Sequence, residues 1–581
     1  MITYSRVYSQ RHRIKWLDKG QGGVRDMRRA WLAWWSISAV VLAAATPVAA
    51  DTTLTVDLAT TIGPATHVAS GSLYGVTETL PADIDNLIVP LQPNMFTNPA
   101  ADVQQPVGDA IDVATRLAPI GARVTIRLAD WFPSWPYAFT NITDWLDKLN
   151  QTVMRKQASG VDNYYGYEIW NEPDGTWTSS LSFNDFWKQS YDKLRQLDPT
   201  AKIIGPSVAW YSSSYLNNFL SFAKDNSCLP DIISWHELAG ADLASDFENY
   251  RAMEQQLGIG PLPISINEYS GKDRIDDEGQ PGASAPLIAK FERYQVDTAC
   301  ISYWDVPHPG RLGSLLATDS DPNGGWWFYK WYGEMSGNMV ATIPPAPSDA
   351  AVLDGFANVD STNQVASVLF GGTNDGTIRI VIKGFSATSF FGSEVHAVVE
   401  HTPFVNRMTA VQAVDMISAT DLTVASDEIT ITVTGTNGAD GYRVVLTPVG
   451  GGVISTGGAG SVGVDGGIVA GSGGKVGSGT TTGGNGGSGL LGGADDRGVL
   501  NPAASGGGLL SGVGTGGVAA SAMTGGISEF TGNMSDGAPP SNSSSCACNL
   551  HRNKKAMPTI NILSALSLGL LFVCRRIRRR P

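Results

Sequence analysis

The chain has 581 residues, a formal net charge of −14 and 42% hydrophobic residues, and its pI is near 5.0. This length predicts two folded domains with non-globular ends, and the apolar content suits a globular core. The acidic balance argues against a nucleic-acid-binding surface and fits a soluble extracellular protein.

The composition also bears on cofactors. No cluster of histidine and cysteine has the spacing of a zinc site, and no glycine-rich loop of the P-loop kind is present in the sequence. We therefore expect neither a metal nor a nucleotide cofactor. Cys228 and Cys300 are the only cysteines of the globular part. A disulfide and a free buried thiol are both compatible with their positions.

Residues 1–50 are predicted to be an N-terminal extension followed by a signal peptide. Met27-Arg28-Arg29 opens a basic region, Ala30 to Ala45 is apolar, and Val48-Ala49-Ala50 supplies small residues for cleavage before Asp51. The alternative is a cytoplasmic segment ahead of an uncleaved signal anchor. The small residues favour removal.

Residues 51–335 alternate short apolar runs with amphipathic helical stretches, the pattern of repeated βα units. The predicted strands are Leu73–Thr77, Leu87–Leu91, Arg123–Leu128, Gly166–Trp170, Lys202–Gly205, Ile232–Trp235, Ile264–Asn267 and Ile301–Trp304. The predicted helices include Asp144–Lys156, Phe183–Leu197, Ser214–Lys224, Phe247–Leu257 and Ala285–Tyr294. Eight such units predict an α/β fold, a (β/α)8 TIM barrel whose reacting groups lie at the C-terminal ends of its strands.

Two glutamates end apolar runs of this barrel, and each follows an asparagine. They are Glu172 in Ile169-Trp170-Asn171-Glu172-Pro173 and Glu268 in Ile264-Ser265-Ile266-Asn267-Glu268-Tyr269. On the strand count, Glu172 ends strand four and Glu268 ends strand seven. Hydrolysis of a glycosidic bond needs such a pair, because one carboxyl protonates the leaving oxygen and the other attacks the sugar carbon. The alternative is a pair of ordinary strand-end carboxylates that are solvated or salt-bridged.

Residues 336–448 change to strands separated by turn sequences and predict an antiparallel β-sandwich. Examples are Val365–Phe370, Thr377–Ile382, Glu394–Val399, Glu428–Val433 and Tyr442–Thr447. Thr52–Leu58, ahead of the barrel, is also strand-like, so residues 51–60 are a candidate further strand of the sandwich.

The last 133 positions divide into a linker, residues 449–545, and a terminal region, residues 546–581. The linker is rich in glycine and serine and predicts a disordered, flexible tether. Met557–Cys574 predicts a C-terminal hydrophobic helix that enters a membrane, although Pro558 and Asn561 make it a marginal span.

Arg575–Arg580 follow as a positive-inside end. A helix lying on the membrane surface is the alternative. The layout also resembles C-terminal sorting signals, with Cys546-Ala547-Cys548 as the cysteine motif, but the basic residues between motif and helix depart from that pattern. A glycolipid-anchor signal is a weaker match, because its tail should end apolar.

The barrel residues resemble retaining glycoside hydrolases of clan A, and most of all glycoside hydrolase family 39. Tyr167 to Asp174 matches the acid/base segment, Ile203 to Ser207 a strand-five segment and Ile233 to His236 a strand-six segment. The resemblance covers about residues 52–448 and implies an acid/base at Glu172 and a nucleophile at Glu268. It also implies an arginine near the nucleophile, which family members usually carry earlier in the barrel. Arg127 on strand three is the candidate for this arginine.

Other side chains are candidates for supporting roles in the site. Asn171 is expected to donate to a sugar 2-hydroxyl, or alternatively to cap the next helix. His236 is expected to orient Glu172 or bind a hydroxyl, or alternatively to be a core histidine. The adjacent Glu237 is a lower-ranked rival carboxylate. Burial and nearby negative charge are expected to raise the pKa of Glu172.

Tryptophans support a sugar site, because indole faces pack on the C–H faces of sugar rings. Past the predicted signal peptide, every tryptophan lies between Trp131 and Trp331. Trp304 is the best candidate platform, followed by Trp131 and Trp135. Core packing is the better interpretation for any single tryptophan of the Trp326-Trp327 pair.

These features predict a retaining glycoside hydrolase, tethered at the cell surface, whose partners are a polysaccharide or oligosaccharide substrate and a membrane. The rivals are a non-catalytic carbohydrate-binding surface protein and a structural adhesin. The family resemblance implies β-xylosides as substrates, with arabinosides, glucosides and uronic-acid glycosides as alternatives.

Overall fold

The computed structural model describes residues 52–101, 108–132, 134–238, 242–273, 275–302, 308–347, 352–372 and 376–450. The predicted signal peptide, the glycine-rich linker, the membrane segment and its basic end lie outside these described residues. Within the described ranges, no helix has both the length and the apolar character needed to cross a membrane.

The strands in chain order are β1 (Thr53–Pro64), β2 (Gly71–Leu73), β3 (Met95–Pro99), β4 (Arg123–Arg127), β5 (Tyr164–Glu168), β6 (Ile203–Val208), β7 (Ile232–Leu238), β8 (Ile264–Ser270), β9 (Thr298–Ile301), β10 (Asn338–Ile343), β11 (Asp354–Asp360), β12 (Val365–Gly371), β13 (Gly376–Lys383), β14 (Glu394–Thr402), β15 (Asp415–Thr423), β16 (Glu428–Thr436) and β17 (Gly441–Pro448). The helices are α1 (Ile84–Leu87), α2 (Ala110–Leu117), α3 (Ile142–Ala158), α4 (Pro173–Thr176), α5 (Phe183–Leu197), α6 (Ser213–Asp225), α7 (Leu243–Leu257), α8 (Pro281–Arg293) and α9 (Gly324–Gly333). Short 3-10 helices lie at Val89–Leu91, Ala118–Ile120, Leu128–Trp131 and Phe385–Ala387.

Strands β2 to β9 close into a parallel barrel in chain order, with helices on its outside, which confirms the predicted (β/α)8 fold. The helices begin after a capping residue and bury an apolar face. In α5, for example, the Ser182 hydroxyl accepts a hydrogen bond from the Asp185 N–H at 3.0 Å, and Phe186, Trp187 and Leu194 are buried on one face.

The second barrel strand differs from the prediction. Leu87–Leu91 is not a strand: α1 ends there and a 3-10 helix follows, because Asp83 caps α1 and Pro90 cannot donate a ladder hydrogen bond. The strand is instead Met95–Pro99. The Thr97 and Asn98 side chains of that strand are buried and polar, so it lacks the apolar run by which strands are predicted.

Other barrel strands also differ from their predicted bounds. The fourth is Tyr164–Glu168 rather than Gly166–Trp170. The first strand ends at Leu73 because Tyr74 adopts a left-handed backbone with φ of 51°, which interrupts an extended strand. The eighth strand is Thr298–Ile301 rather than Ile301–Trp304, and residues 303–307 lie outside the described part. Each of the five predicted helices is present, with ends shifted by up to four residues.

The second core belongs to a nine-stranded sheet with the order β15-β14-β17-β12-β11-β10-β1-β13-β16. Apolar residues from β13 and β16 share one buried cluster with residues from β12, β14 and β17, so the sheet folds over on itself as a sandwich. β1 lies inside this sheet, as its strand-like sequence predicted. Its pairing with β13 is parallel, which is an exception to the predicted antiparallel arrangement.

Helix α8 joins the barrel to the sheet. Lys290 of α8 lies 3.0 Å from a carboxylate oxygen of Asp354 on β11, and both side chains are fully buried. Arg293 contacts the other oxygen at 2.8 Å. Cys228 and Cys300 are both buried and unpaired, so the free thiol is the correct one of the two alternatives.

Candidate active site

Glu172 lies just beyond β5, the fourth barrel strand, and immediately before α4. Its backbone is left-handed, with φ of 51°, a conformation that costs about 1–3 kcal/mol for a non-glycine residue. Two hydrogen bonds hold it: its N–H donates to the Ser207 carbonyl at 2.8 Å, and the Thr176 hydroxyl donates to its carbonyl at 2.8 Å. The side chain is only 8% exposed. Neighbouring strands therefore fix the direction of this carboxylate.

Glu268 lies within β8, the seventh barrel strand, and is 6% exposed. It is the register partner of His236 on β7, and an irregularity in the pairing just before His236 shifts the two strands by one residue. Such bulges re-aim side chains at barrel rims. Here the shift places a glutamate and a histidine side by side on the inner face.

The two glutamates meet as predicted. One oxygen of Glu172, one oxygen of Glu268 and a ring nitrogen of His236 all lie within 4.8 Å of one another. Carboxyl separations of about 5–5.5 Å are typical of retaining glycosidases, whereas inverting enzymes need about 6.5–9.5 Å to admit water. The oxygen–oxygen distance of at most 4.8 Å lies below the range of inverting enzymes.

His236 lies between the two carboxylates and is fully buried. Its Nδ1 is 3.3 Å from Oε1 of Glu172 and 3.7 Å from Oε2 of Glu268. Of the two roles predicted for His236, orienting Glu172 is the one that this position fits.

Arg127, on the third barrel strand, contacts the second glutamate directly. Its Nη1 donates to Oε1 of Glu268 at 2.7 Å, and its Nε donates to Glu168 at 3.1 Å. Glu168 in turn accepts a hydrogen bond from Nδ2 of Asn267 at 2.6 Å, and that amide also donates to the Ser207 hydroxyl at 3.1 Å. The network fixes Oε1 of Glu268, so Oε2 remains the oxygen that faces His236.

Three further side chains brace the arginine. Nη1 of Arg127 donates to the Tyr74 hydroxyl at 3.3 Å, and that hydroxyl donates to Asp130 at 2.5 Å. The Tyr137 hydroxyl donates to the other oxygen of Asp130 at 3.1 Å. Burial raises the pKa of Asp130 to about 7. The Asp130 carboxyl therefore titrates near neutral pH.

The electrostatics of Glu172 differ from the prediction. Burial acts to raise its pKa, but the hydrogen bond and charge of His236 outweigh burial, helped by Arg127 and Trp135, so its pKa lies below the ordinary value. Burial acts to lower the pKa of His236, but Glu268 and then Glu172 raise it above its ordinary value. The expectation of a raised pKa for Glu172 is therefore wrong for the free protein, because His236, Arg127 and Trp135 all favour the ionised carboxylate.

Asn171 is buried beside Glu172 and does not cap the next helix. Its Oδ1 has no hydrogen-bond partner among the described residues, while its side chain bonds to Tyr137. A buried amide oxygen without a partner is costly unless a ligand completes it. The position is compatible with the predicted contact to a sugar hydroxyl.

The tryptophans divide into several environments. Trp131 donates its indole N–H to Thr152 of α3 at 2.7 Å, so it faces the helix layer rather than the carboxylates. Trp135 donates its N–H to Oε2 of Glu172 at 2.9 Å and is 51% exposed. Trp326 is buried, as core packing predicted. Trp304 lies outside the described residues and stays a prediction.

Glu237 does not join the site. Its carboxylate accepts the indole N–H of Trp235 at 2.7 Å, and Trp235 packs against Phe247 and Tyr250 of α7. The side chain therefore lies on the outer face of β7, opposite to His236, and the lower rank given to Glu237 agrees with this position.

Glu172, His236 and Glu268 each offer an atom that a metal ion accepts. The guanidinium of Arg127, at 2.7 Å from Oε1 of Glu268, already neutralises one of these carboxylates and would repel a cation. The raised pKa of His236 favours a protonated ring, which cannot ligate a metal. The chemistry of this set favours proton transfer and nucleophilic attack over metal binding.

Several functional side chains were missing from the sequence prediction. Glu168 and Tyr74 contact Arg127, and Asn267 donates a hydrogen bond to Glu168. The signal for Asn267 was visible, because it precedes Glu268 just as Asn171 precedes Glu172. Glu168 and Tyr74 had no local signal, since their importance depends on Arg127.

Comparison with known proteins identifies relatives of the chain. The structure of N2152 from Neocallimastix frontalis shares 47% sequence identity with the chain, with a TM-score of 0.67, and the match covers 68% of this chain and 100% of that one. The chain belongs to the same family as N2152. No family model matches the chain.

Two curated relatives come from bifidobacteria. The 3-O-beta-L-arabinopyranosyl-alpha-L-arabinofuranosidase of Bifidobacterium pseudocatenulatum is 27% identical over 474 residues, covering 68% of this chain and 47% of the relative. The 3-O-alpha-D-galactosyl-alpha-L-arabinofuranosidase of Bifidobacterium longum subsp. longum is 28% identical over 473 residues, covering 68% and 40%. The chain thus spans less than half the length of the curated relatives it matches. Both curated relatives are named as glycosidases, so the predicted resemblance of this chain to glycoside hydrolases is confirmed.

Proposed function

We propose that this protein is a retaining glycoside hydrolase in which Glu172 is the acid/base and Glu268 the nucleophile. The observation that carries the proposal is the pair of buried carboxylates on the fourth and seventh barrel strands, with oxygens within 4.8 Å. The barrel supports this assignment, because catalytic side chains of such barrels come from the C-terminal ends of different strands.

In the first step, Oε2 of Glu268 attacks the anomeric carbon, because Arg127 holds Oε1. As the new carbon–oxygen bond forms, the bond to the leaving oxygen breaks, and that oxygen takes the proton of Glu172. In the second step, Glu172 removes a proton from water, whose oxygen displaces Glu268 from the anomeric carbon. The two inversions together retain the configuration.

His236 supplies the proton that this cycle needs. Its Nδ1 lies 3.3 Å from Oε1 of Glu172, so the ring is within reach to protonate this carboxyl, which then rotates to turn the protonated oxygen towards the leaving group. When Glu268 is consumed as the glycosyl ester, its negative charge disappears and the imidazolium loses its strongest electrostatic support. Glu172 and His236 therefore act as one proton-holding pair.

We propose non-reducing α-L-arabinofuranosyl groups as the substrate class. The names of the two curated relatives, both α-L-arabinofuranosidases, support this choice. β-Xylosides, the class implied by the family resemblance, are the alternative. A carbohydrate-binding protein without catalysis is the remaining rival, and the intact pair of glutamates argues against it.

The test is a panel of nitrophenyl glycosides with wild type and three glutamine variants. We expect release of nitrophenol from the α-L-arabinofuranoside, with retained configuration in the first product observed by NMR. Glu268→Gln should abolish turnover, and Glu172→Gln should reduce it. Glu237→Gln, which alters a carboxylate of the same barrel that faces away, is the matched control. No turnover of any glycoside by wild type would contradict the proposal.

We also propose that the catalytic region lies outside the cell and is tethered to the membrane. The basic, apolar and small-residue order of residues 27–50 supports export. The glycine-rich residues 449–545 followed by Met557–Cys574 and a basic end support a flexible link to a membrane. Fractionation of cells that express the full chain tests this directly, with the enzyme expected in the membrane fraction.

A further inference from the structure

Two tryptophans stand out from the rest by their exposure. Trp135 is 51% exposed and Trp210 is 59% exposed, whereas the other described tryptophans are buried or half-buried. An exposed indole offers a sugar ring an apolar face and an N–H donor. Both belong to the C-terminal face of the barrel, where the carboxylates lie.

The two tryptophans follow the barrel strands on either side of the strand that leads to Glu172. Trp135 follows β4 and Trp210 follows β6, and β5, which leads to Glu172, runs between these strands. Two hydrogen bonds connect the segment that carries Trp210 to the segment that carries Glu172. The Glu172 N–H donates to the Ser207 carbonyl at 2.8 Å, and the Ala209 N–H donates to Asp174 at 3.0 Å. Trp135 therefore contacts Glu172 directly, and Trp210 belongs to the segment that follows the neighbouring strand β6.

The two oxygens of Glu172 have different partners. Oε1 lies 3.3 Å from the fully buried ring of His236, whereas Oε2 accepts the N–H of the half-exposed Trp135 at 2.9 Å. Oε2 is therefore the oxygen on the solvent side. A proton delivered to a leaving group must come from that side, so the group bonded through the leaving oxygen lies against Trp135.

On the basis of the proposed function, we propose that Trp135 and Trp210 form the binding site for the leaving group and that this group is itself a sugar. Trp135 is then a positioning residue with two partners. In the free protein its N–H holds Oε2 of Glu172, and with substrate bound it donates to a hydroxyl of the leaving sugar instead. Release of Oε2 removes one interaction that stabilises the ionised carboxylate, which favours the protonated acid when a substrate is present.

The charges around Glu172 remain the same when Trp135 is replaced. His236 faces it from β7, Glu268 from β8 and Arg127 from β4. Asp174 of α4 is the remaining carboxylate close to it. A Trp135→Phe substitution keeps these groups and an aromatic face, and removes the N–H together with part of the indole ring system.

The first experiment measures kcat/KM against pH for an aryl arabinofuranoside. Because the N–H stabilises ionised Glu172, its loss in Trp135→Phe should move the basic limb to higher pH, by about half a unit to one unit. Trp327→Phe is the control, since it removes an indole N–H that bonds to the Val411 carbonyl. An unchanged basic limb in Trp135→Phe would overturn the proposal.

The second experiment does not depend on turnover. In the Glu268→Gln background, binding of arabinose and of an arabino-oligosaccharide is followed by tryptophan fluorescence. Trp135→Ala and Trp210→Ala should each weaken oligosaccharide binding by about 2- to 10-fold and leave arabinose binding unchanged, and Trp327→Phe should change neither. Oligosaccharide binding equal to the control, or none at all, would overturn the proposal. If wild type cleaves no glycoside but the two alanine variants bind the oligosaccharide more weakly, the proposed hydrolase function is wrong and the proposed sugar-binding site is supported.

Discussion

Glu237 and His236 are neighbours in β7, and their side chains lie on opposite faces of the strand. His236 joins the two catalytic carboxylates, while Glu237 is enclosed by the helix layer with Trp235 as its hydrogen-bond donor. Burial, and next the charge of Asp246, raise the pKa of Glu237 from 4.5 to about 8. This carboxyl is therefore protonated in the folded protein at neutral pH.

The raised pKa predicts a pH-dependent loss of stability. Below pH 4.5 the group is protonated in both folded and unfolded chains, and as the pH rises towards 8 only the unfolded chain gives up the proton freely. The penalty reaches at most roughly 3 kcal/mol at pH 7. Glu237→Gln, which keeps the acceptor for Trp235, should therefore have a Tm above that of wild type at pH 7.5 and equal to it near pH 4.5.

The control for this measurement is Glu394→Gln, because Glu394 is an exposed carboxylate at the start of β14. Its Tm difference from wild type should not change with pH. A Tm difference for Glu237→Gln that is the same at both pH values would show that the carboxyl is not held protonated by the fold.

Individual residues were predictable where the signal is local. An apolar run that ends in Asn-Glu marks a strand end, so Glu172 and Glu268 could be identified from the sequence. Glu168 was missed because a glutamate within a strand has meaning only when Arg127, 41 positions earlier, lies across from it. The pKa of Glu172 was misjudged because His236, which lowers it, lies 64 positions later in the printed sequence.

Among the elements, helices were predicted more accurately than strands. Helix α5 was placed to the residue, because its apolar face and Ser182 cap are contiguous in sequence. Leu87–Leu91 was misassigned because a short apolar run fits a buried helix as well as a strand. β3 was missed because its residues Thr97 and Asn98 are polar although both are buried, so the strand lacks a continuous apolar run.

The junction between barrel and sheet yields a prediction on helix α8. A Cβ at Gly282 would lie 1.9 Å from the carbonyl oxygen of Gly438, and that atom is backbone that cannot swing aside. Gly282→Ala should therefore lower the free energy of unfolding by roughly 1–3 kcal/mol, as measured by urea denaturation.

Gly392→Ala is the matched control, because a Cβ there meets nothing within 4 Å. It should change the free energy of unfolding by no more than about 0.5 kcal/mol. Equal stability of the two variants would contradict the close contact between α8 and the Asn437 to Asp440 turn.

At the scale of the molecule, the barrel and the sheet are one folding unit. β1 precedes the barrel in sequence but pairs with β10 and β13 in the middle of the sheet. Removal of the sheet strands therefore leaves β1 without partners and exposes the buried Lys290 of α8. The fold class and the order of domains were predictable, because periodicity changes visibly near residue 336. The parallel pairing of β1 with β13 was not, since it joins strands more than 300 positions apart.

Two truncations test this architecture. A chain that ends at Pro448 keeps every described strand and should be soluble, with the kcat/KM of the full chain. A chain that ends at Met335 loses the partners of β1 and should be insoluble or fail to fold. An inactive or insoluble first truncation would show that the glycine-rich region is part of the fold rather than a tether.

The central claim is that Glu268 becomes bonded to the sugar. The most direct measurement uses Glu172→Ala with an activated aryl arabinofuranoside, because a good leaving group needs no proton while hydrolysis of the intermediate still lacks its base. Rapid acid quench, proteolysis and mass spectrometry should find one glycosyl unit on the peptide that contains Glu268, and azide should remove it as the glycosyl azide. A glycosyl unit on another residue, or nitrophenol release with no covalent intermediate and an inverted product, would contradict the account.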